Sequence, residues 1–176
     1  MMEHYLTTPL QNEDIQKLQI GDKVFISGKV YTARDAAHKK LVELLETGQN
    51  LPFQLQGAVI YYVGPAPAPP GKPIGSAGPT SSYRMDPFAP ALLQAGVKAM
   101  IGKGPRSSKV ISAITSTNSV YLAAIGGAAV VMAQAIKSSK VIAYPELGPE
   151  AIRELEVENL PCYVAISSDG QNIYER

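Results

Sequence analysis

Three cationic side chains stand where apolar, strand-like chain gives way to helical chain. Arg34 closes the run "KVYTAR" just before "DAAHKKLVELLETG"; Arg84 lies in "GSAGPTSSYRMDPF" (75–88); Lys103 follows "VKAMIG" and precedes the Arg106 helix. In α/β layouts ligands collect where strands end and helices begin. Arginine grips a carboxylate through two parallel hydrogen bonds and lysine adds a compact charge. Two arginines and a lysine at such equivalent ends suit a small solute with two carboxylates. The stretch "RSSKVISAITST" (106–117) opens, at Arg106, Ser107 and Ser108, a helix whose free N–H groups favour an anion.

Each of these residues also has a plainer use. Arg34 could be a solvated cation at a helix start, although a cation beside the positive end of the helix dipole is mildly unfavourable. Arg84 could pair with Asp35 or Asp86. Lys103 could be an exposed turn lysine. Thr80, following Gly-Pro four positions ahead of Arg84, could cap a helix. His38, one helical turn after Arg34, could orient that arginine or face solvent. A nucleotide site fits poorly. No GxxxxGK[ST] occurs, and "GKGPRS" (102–107) is only a partial dinucleotide fingerprint; about 20 residues on, where an acid would meet the ribose, the chain reads "YLAAIGG".

The elements that must position these side chains follow from periodicity. "DKVFISGKVYTARD" (22–35) has the two-residue period of strands and is interrupted at Gly28, which predicts two short strands. Over 35–48 the apolar residues Ala37, Leu41, Leu44 and Leu45 share a helical face, with Asp35 as N-cap and Gly48 as C′ residue. "GAVIYYVG" (57–64) is a buried strand. The proline-dense "PAPAPPGKP" (65–73) reads as a rigid surface loop, since the residues before it are too few for a separate core. Beyond it the pattern predicts a helix over 86–96 capped by Asp86, a strand over 97–104, a helix over 106–117, a strand over 119–126, a helix over 127–138 and a strand over 139–146. Two strands joined at Asp169-Gly170 close the chain (152–175). The polar first ten residues are expected to wrap around the body. Strands alternating with helices indicate an α/β core, to which the β-rich opening and close add a second layer of strands.

Bulk properties narrow the function. At 176 residues, with 45% apolar and 18% charged content, the chain fits one compact domain over 1–176. Sixteen basic against fifteen acidic residues give a net charge of +1, which argues against a general nucleic-acid or acidic-membrane surface; anion recognition must be local. No run approaches the roughly 20 apolar residues of a membrane span, and no signal-peptide layout opens the chain. A soluble, cytoplasmic protein is expected. Cys162 is the single cysteine, so neither an internal disulfide nor a cysteine-built metal cluster is available within the chain.

Three motifs in order, "TARDAAH" (32–38), "YYVGPAPAPPGKPIGSAGPTSSYRMD" (61–86) and "MIGKGPRSSKV" (100–110), resemble the β subunit of class I fumarate hydratases and L(+)-tartrate dehydratases, over roughly residues 5–175. The resemblance implies a swivelling β/β/α domain: a mixed sheet core with helices and a second layer of strands. It implies half of a hydro-lyase, in which a 4Fe-4S cluster is held by a partner α subunit, in an α₂β₂ heterotetramer. The isolated β chain could also form a homodimer. Carried over by motif, Arg34, Arg84 and Lys103 bind substrate carboxylates and Thr80 stands at the carbon that loses or gains the proton; His38, Ser81 and Arg106 are candidates for supporting them. Thr80-Ser81 replaces a frequent Thr-Thr, and Tyr83 replaces a small residue, which leaves the choice between fumarate and tartrate open. The competing readings are a stand-alone dicarboxylate- or phosphate-binding module and a purely structural origin for the three cations.

Overall fold

Alternation along the short central strands decides the architecture. Val59 and Tyr61 point into one core with Ala99, Ile101, Val120 and Leu122; Ile60 and Tyr62 point into a second core with Met100 and Tyr121. Strands apolar on both faces must be covered on both faces. The computed structural model of the chain describes residues 2–124 and 128–175. Its strands are β1 (Glu3–Thr7), β2 (Lys23–Thr32), β3 (Val59–Tyr61), β4 (Ala99–Gly102), β5 (Val120–Ala124), β6 (Ile136–Ala143) and β7 (Ile152–Ile166). The helices are α1 (Asn12–Gln16), α2 (Asp35–Glu46), α3 (Ala89–Gln94), α4 (Ser108–Thr117) and α5 (Ala128–Ala135).

All seven strands belong to one mixed sheet in the order β1-β2-β3-β4-β5-β7-β6. β1 through β5 pair in parallel, and β7 runs antiparallel to β5 and β6. β7 also pairs antiparallel with β2, from Lys23↔Tyr163 to Tyr31↔Glu154, which closes β2-β3-β4-β5-β7 into a small barrel. The opening and closing strands therefore extend and shut the same sheet; they do not stack as a separate layer. One core fills the barrel, with Val24, Ile26, Val30, Leu155, Leu160 and Val164 among its residues. The other lies between the barrel wall and helices α2, α3 and α4, built on Ala37, Leu41, Leu92, Leu93, Val110 and Ile114.

Several local expectations are corrected. The first residues form the strand β1, in register with β2 and anchored by buried Leu6. The predicted pair of strands around Gly28 is a single β2: the register against β7 shifts between Ile26 and Gly28, and Gly28 has φ +107. A Cβ at Gly28 would strike the Thr8 hydroxyl, so the bulge depends on glycine. Helix α2 starts at Asp35 with Arg34 as N-cap, and Gly48, at φ +67, follows its end. The helix expected over 86–96 is a 3₁₀ turn (Ser82–Met85) followed by the shorter α3, whose N-cap is Phe88. The C-terminal pair reduces to the long β7, a turn with Gly170 at φ +88, and an isolated Ile166↔Asn172 bridge. Residues 125–127, predicted as a strand end and a helix start, lie outside the described residues. The proline-dense segment is a loop that re-enters the core at Ile74 and Ala77.

Candidate active site

The C-terminal ends of the parallel strands β2, β3 and β4 gather the residues singled out by sequence. Arg34 leaves β2 in extended conformation (φ −112, ψ −160) and Asp35 begins α2. The Asp35 carboxylate lies between two arginines. Arg84 Nε donates to its Oδ2 at 2.9 Å, and Arg34 Nε stands 3.8 Å from its Oδ1. Of the two partners open to Arg84, the structure selects Asp35. Arg34 runs along the backbone of Gly64, just beyond β3: a Cβ there would come within 3.2 Å of Arg34 Cδ and Nη1. Arg34 Nε and Asp35 Oδ1 are both buried and have no hydrogen-bond partner among the described residues.

His38 does not face solvent. It is buried, its Nδ1 donates to the Arg34 carbonyl at 2.9 Å, and its ring meets Tyr62 edge-on at 5.2 Å between centroids. Burial among Ile60, Leu92, Leu93 and Met100 disfavours the imidazolium and pushes the pKa of His38 down to about 4. The side chain is thus neutral at pH 7, with the proton assigned to Nδ1 because a carbonyl can only accept.

The segment carrying Thr80 and Arg84 is wedged between the continuations of β3 and β4. Thr80 N donates to the Tyr62 carbonyl at 2.8 Å, Ser81 forms a parallel bridge with Lys103, and Ser82 N donates to the Lys103 carbonyl at 3.0 Å. Lys103 N in turn donates to Ser82 Oγ at 3.0 Å, and Tyr121 Oη lies 2.7 Å from the same hydroxyl and 2.8 Å from the Gly104 carbonyl. Ser82 is fully buried, which this closed set of partners permits. The 3₁₀ turn that follows carries Tyr83 and Arg84 outward while Met85 points into the core. Lys103 is exposed, and among the described residues its ammonium has no ion-pair partner. Thr80 does not cap a helix; Ser81 occupies that position, without a side-chain cap bond.

Arg106 supports the site from beneath. Its side chain is 0% exposed, with Nε donating to Asp86 Oδ1 at 2.7 Å and Nη2 to the Tyr62 hydroxyl at 3.2 Å. Its guanidinium stacks over Tyr62 and Tyr121 at 5.2 and 4.8 Å. The other Asp86 oxygen accepts from Ser107 N at 2.8 Å, where α4 begins. The anion favoured at that helix start is therefore supplied by the chain itself, which is why Asp86 is not free to cap α3. Sequence reasoning missed this lattice of Tyr62, Ser82, Asp86 and Tyr121. A trace of it was present: two tyrosines inside otherwise apolar strand runs, each needing a partner for its hydroxyl.

A concavity of about 530 Å³, bordered by Thr8, Lys29, Tyr31, Gln54 and Gln56, shares no residue with the cation cluster. No group of three or more His, Cys, Asp or Glu is placed to hold a metal ion among the described residues.

A model of the family described as "Fumarase C-terminus" matches residues 2–176. The chain belongs to the Fumarase C-terminus family. It is 39% identical over 165 residues to "Fumarate hydratase class I, anaerobic" of Escherichia coli K12, covering 92% of this chain and 30% of that protein. It is 39% identical over 181 residues to "Putative L(+)-tartrate dehydratase subunit beta" of Methanocaldococcus jannaschii, covering 97% of this chain and 91% of that one. "Fumarate hydratase 1, mitochondrial" of Leishmania major is 38% identical over 167 residues, with 93% of this chain and 30% of the relative covered. The chain thus spans 30% of the fumarate hydratases but nearly the whole of the tartrate dehydratase subunit. The names these relatives carry are those of hydro-lyases.

Proposed function

We propose that the chain is the beta portion of an iron–sulfur-dependent hydro-lyase of the swivelling β/β/α type. It completes an active site for the reversible hydration of fumarate to malate when joined to an alpha companion in a cytoplasmic α₂β₂ assembly. The observation that carries this reading is the convergence on Asp35: Arg34, from the end of β2, and Arg84, from the 3₁₀ turn ahead of α3, flank one carboxylate. Lys103 is laced by backbone hydrogen bonds to the loop that holds Arg84. A cluster that already organises itself around an internal carboxylate has the donors for a dicarboxylate. Asp35 engages only the Nε edge of Arg84, and a guanidinium carries further donors on its two Nη atoms.

The chain itself does not fit a four-iron cluster. Its one cysteine, Cys162, is buried, donates to the Val24 carbonyl at 3.4 Å, and has its thiol pKa raised by burial, which opposes thiolate formation. The cluster is assigned to the companion. What this chain contributes is electrostatic. Removing a proton from the carbon beside a carboxylate moves charge onto the carboxylate oxygens. Arg34, Arg84 and Lys103 stabilise that charge more as it develops than they do the bound diacid, which is the useful form of binding. By its motif, Thr80 is assigned to the reacting carbon. Its hydroxyl is a poor base, so the neighbouring cations or a companion group must activate it.

Anaerobic mixing with an alpha-type companion chain tests the reading: fumarate hydration should appear in the mixture and in neither chain alone. Absence of turnover with both fumarate and L(+)-tartrate overturns it. A second reading, the beta subunit of an L(+)-tartrate dehydratase, is favoured by the 91% coverage of the archaeal relative. The ratio of kcat/KM for the two acids in the same mixture decides between them.

A further inference from the structure

Helix α5 has the sequence AAVVMAQA, apolar apart from Gln134, a composition suited to a helix covered on most of its circumference. Among the described residues only one side is covered. Met132 and Ala135 pack into the barrel core, while Val130 and Val131 are 63% and 44% exposed. Val131 borders a groove of about 350 Å³ that also includes Tyr5, Phe25, Gln134 and Pro161, with Lys137 and Glu158 among its polar lining. Tyr5 on β1 stacks on Phe25 of β2 with centroids 4.9 Å apart, yet Tyr5 is largely exposed. Near its start α5 is fastened to the loop that leads into Thr80: the Ala129 carbonyl accepts from Ala77 N at 3.4 Å, and Ala129 lies close against Gly78. An eight-residue helix is about 12 Å long, so one docked body can touch both the groove and the Thr80 loop.

We infer that the outer side of α5 and the Tyr5–Phe25 groove dock the remaining, larger part of the hydro-lyase. This rests on the function proposed above. Two observations select that occupant over a second copy of this chain. The matched family is a fumarase C-terminus. In a single-chain relative the rest of the polypeptide therefore arrives ahead of the position of residue 2, directly beside β1, the strand that contributes Tyr5 to the groove. Second, the same helix leads from the groove to the loop bearing Thr80, where the missing part has to complete the site. Exposed contiguous apolar surface of this kind marks an interaction site, and docking there covers two valines and an aromatic pair.

The probe is the part of the E. coli class I anaerobic fumarate hydratase that this chain does not match, added to the full chain under anaerobic conditions. Binding is followed by sedimentation velocity and titration calorimetry, alongside fumarate and tartrate turnover. The double variant Val130→Lys/Val131→Lys should keep the wild-type Tm and bind about 30-fold or more weakly. Val141→Lys, at a valine on β6 about as exposed as Val131, should bind as wild type does. The proposal is overturned by absent binding of the wild-type chain, or by a double variant that binds with unchanged affinity. A wild-type homodimer that the double variant splits into monomers also overturns it, because the face then belongs to a second copy. A complex that forms through this face but hydrates neither acid removes the proposed function and leaves the docking surface standing. Turnover with unchanged affinity in the double variant does the reverse.

Discussion

Two arginines of this chain make carboxylate pairs of equal geometric quality and opposite energetic character. Arg84 holds Asp35 at 2.9 Å from a side chain that is 47% exposed. Pairs in water contribute about 0–1 kcal/mol, since the Coulomb gain is screened and two long side chains must be ordered. Arg106, whose side chain has no exposure, holds the 14% exposed Asp86 at 2.7 Å, and two tyrosine rings cover its guanidinium. Removing one partner of such a pair strands a buried charge and costs roughly 3–5 kcal/mol. Arg84→Ala should therefore unfold in urea within about 1 kcal/mol of the wild type, while turnover in the reconstituted mixture falls by about 100-fold or more as a stabiliser of developing charge is lost. Arg106→Ala should lose several kcal/mol by the same urea assay. Normal turnover with lowered stability in Arg84→Ala would make Arg84 a structural residue.

At the scale of elements, the site depends on how the 80–85 segment is seated between β3 and β4. The seat is possible because β4 ends in glycine. A Cβ on Gly102 would run into Ser82 Oγ and come within 2.8 Å of Tyr62 Cδ2. Both neighbours are buried and already committed, Ser82 to Lys103 and Tyr121, and Tyr62 to Arg106. Neither can give way without breaking a hydrogen bond. Gly102→Ala should cost about 1–3 kcal/mol, the range for forcing an extra carbon into a packed interior. It should also lower kcat/KM, because Arg84 and Lys103 are the two ends of the disturbed seat. A urea midpoint and a turnover measurement on the same preparation check both effects; an unchanged midpoint would show that the seat is softer than this packing implies.

At the scale of the whole molecule, one buried imidazole couples pH to global stability. His38 in the unfolded chain titrates near 6.5, whereas in the folded chain burial lowers its pKa to about 4. Below pH 6.5 the unfolded chain takes up a proton that the native chain refuses, so stability is complete above that value. It declines as pH falls toward 4, by on the order of 3 kcal/mol in total. Asp22, held low by His4 and two backbone N–H groups against the opposing effect of burial, acts in the same direction below its ordinary 3.8. Asp169, held low by the Ser167 hydroxyl, does likewise. The interval between 4 and 6.5 belongs to His38 among these three groups. Urea denaturation at pH 7.5, 6 and 5 should show the decline in the wild type, and His38→Asn, whose amide nitrogen takes the place of Nδ1 as donor to the Arg34 carbonyl, should flatten it. An equal slope in both proteins would rule His38 out as its source.

Much of this was legible along the chain. The alternation of strands and helices through the middle of the chain, the Gly48 end of α2, the proline-dense loop and the placing of Arg34 and Lys103 after strands all follow from periodicity and local chemistry, which are properties of short windows. The two-residue period marked β2 and β7 as β-structure. It could not disclose that they pair with each other and close the barrel, because that pairing joins residues more than a hundred positions apart. For the same reason Asp35 and Asp86 looked like ordinary helix caps. A carboxylate beside a helix start satisfies local N–H groups cheaply, and only folding brings in the arginines that outbid that use: Arg84 for Asp35, Arg106 for Asp86. His38 was ambiguous on its helix until the wall of β3 and α3 enclosed it. Residue types and spacing determined which charged groups stand beside helix starts; long-range packing decided which of them converge on Asp35 and which hold the others in place.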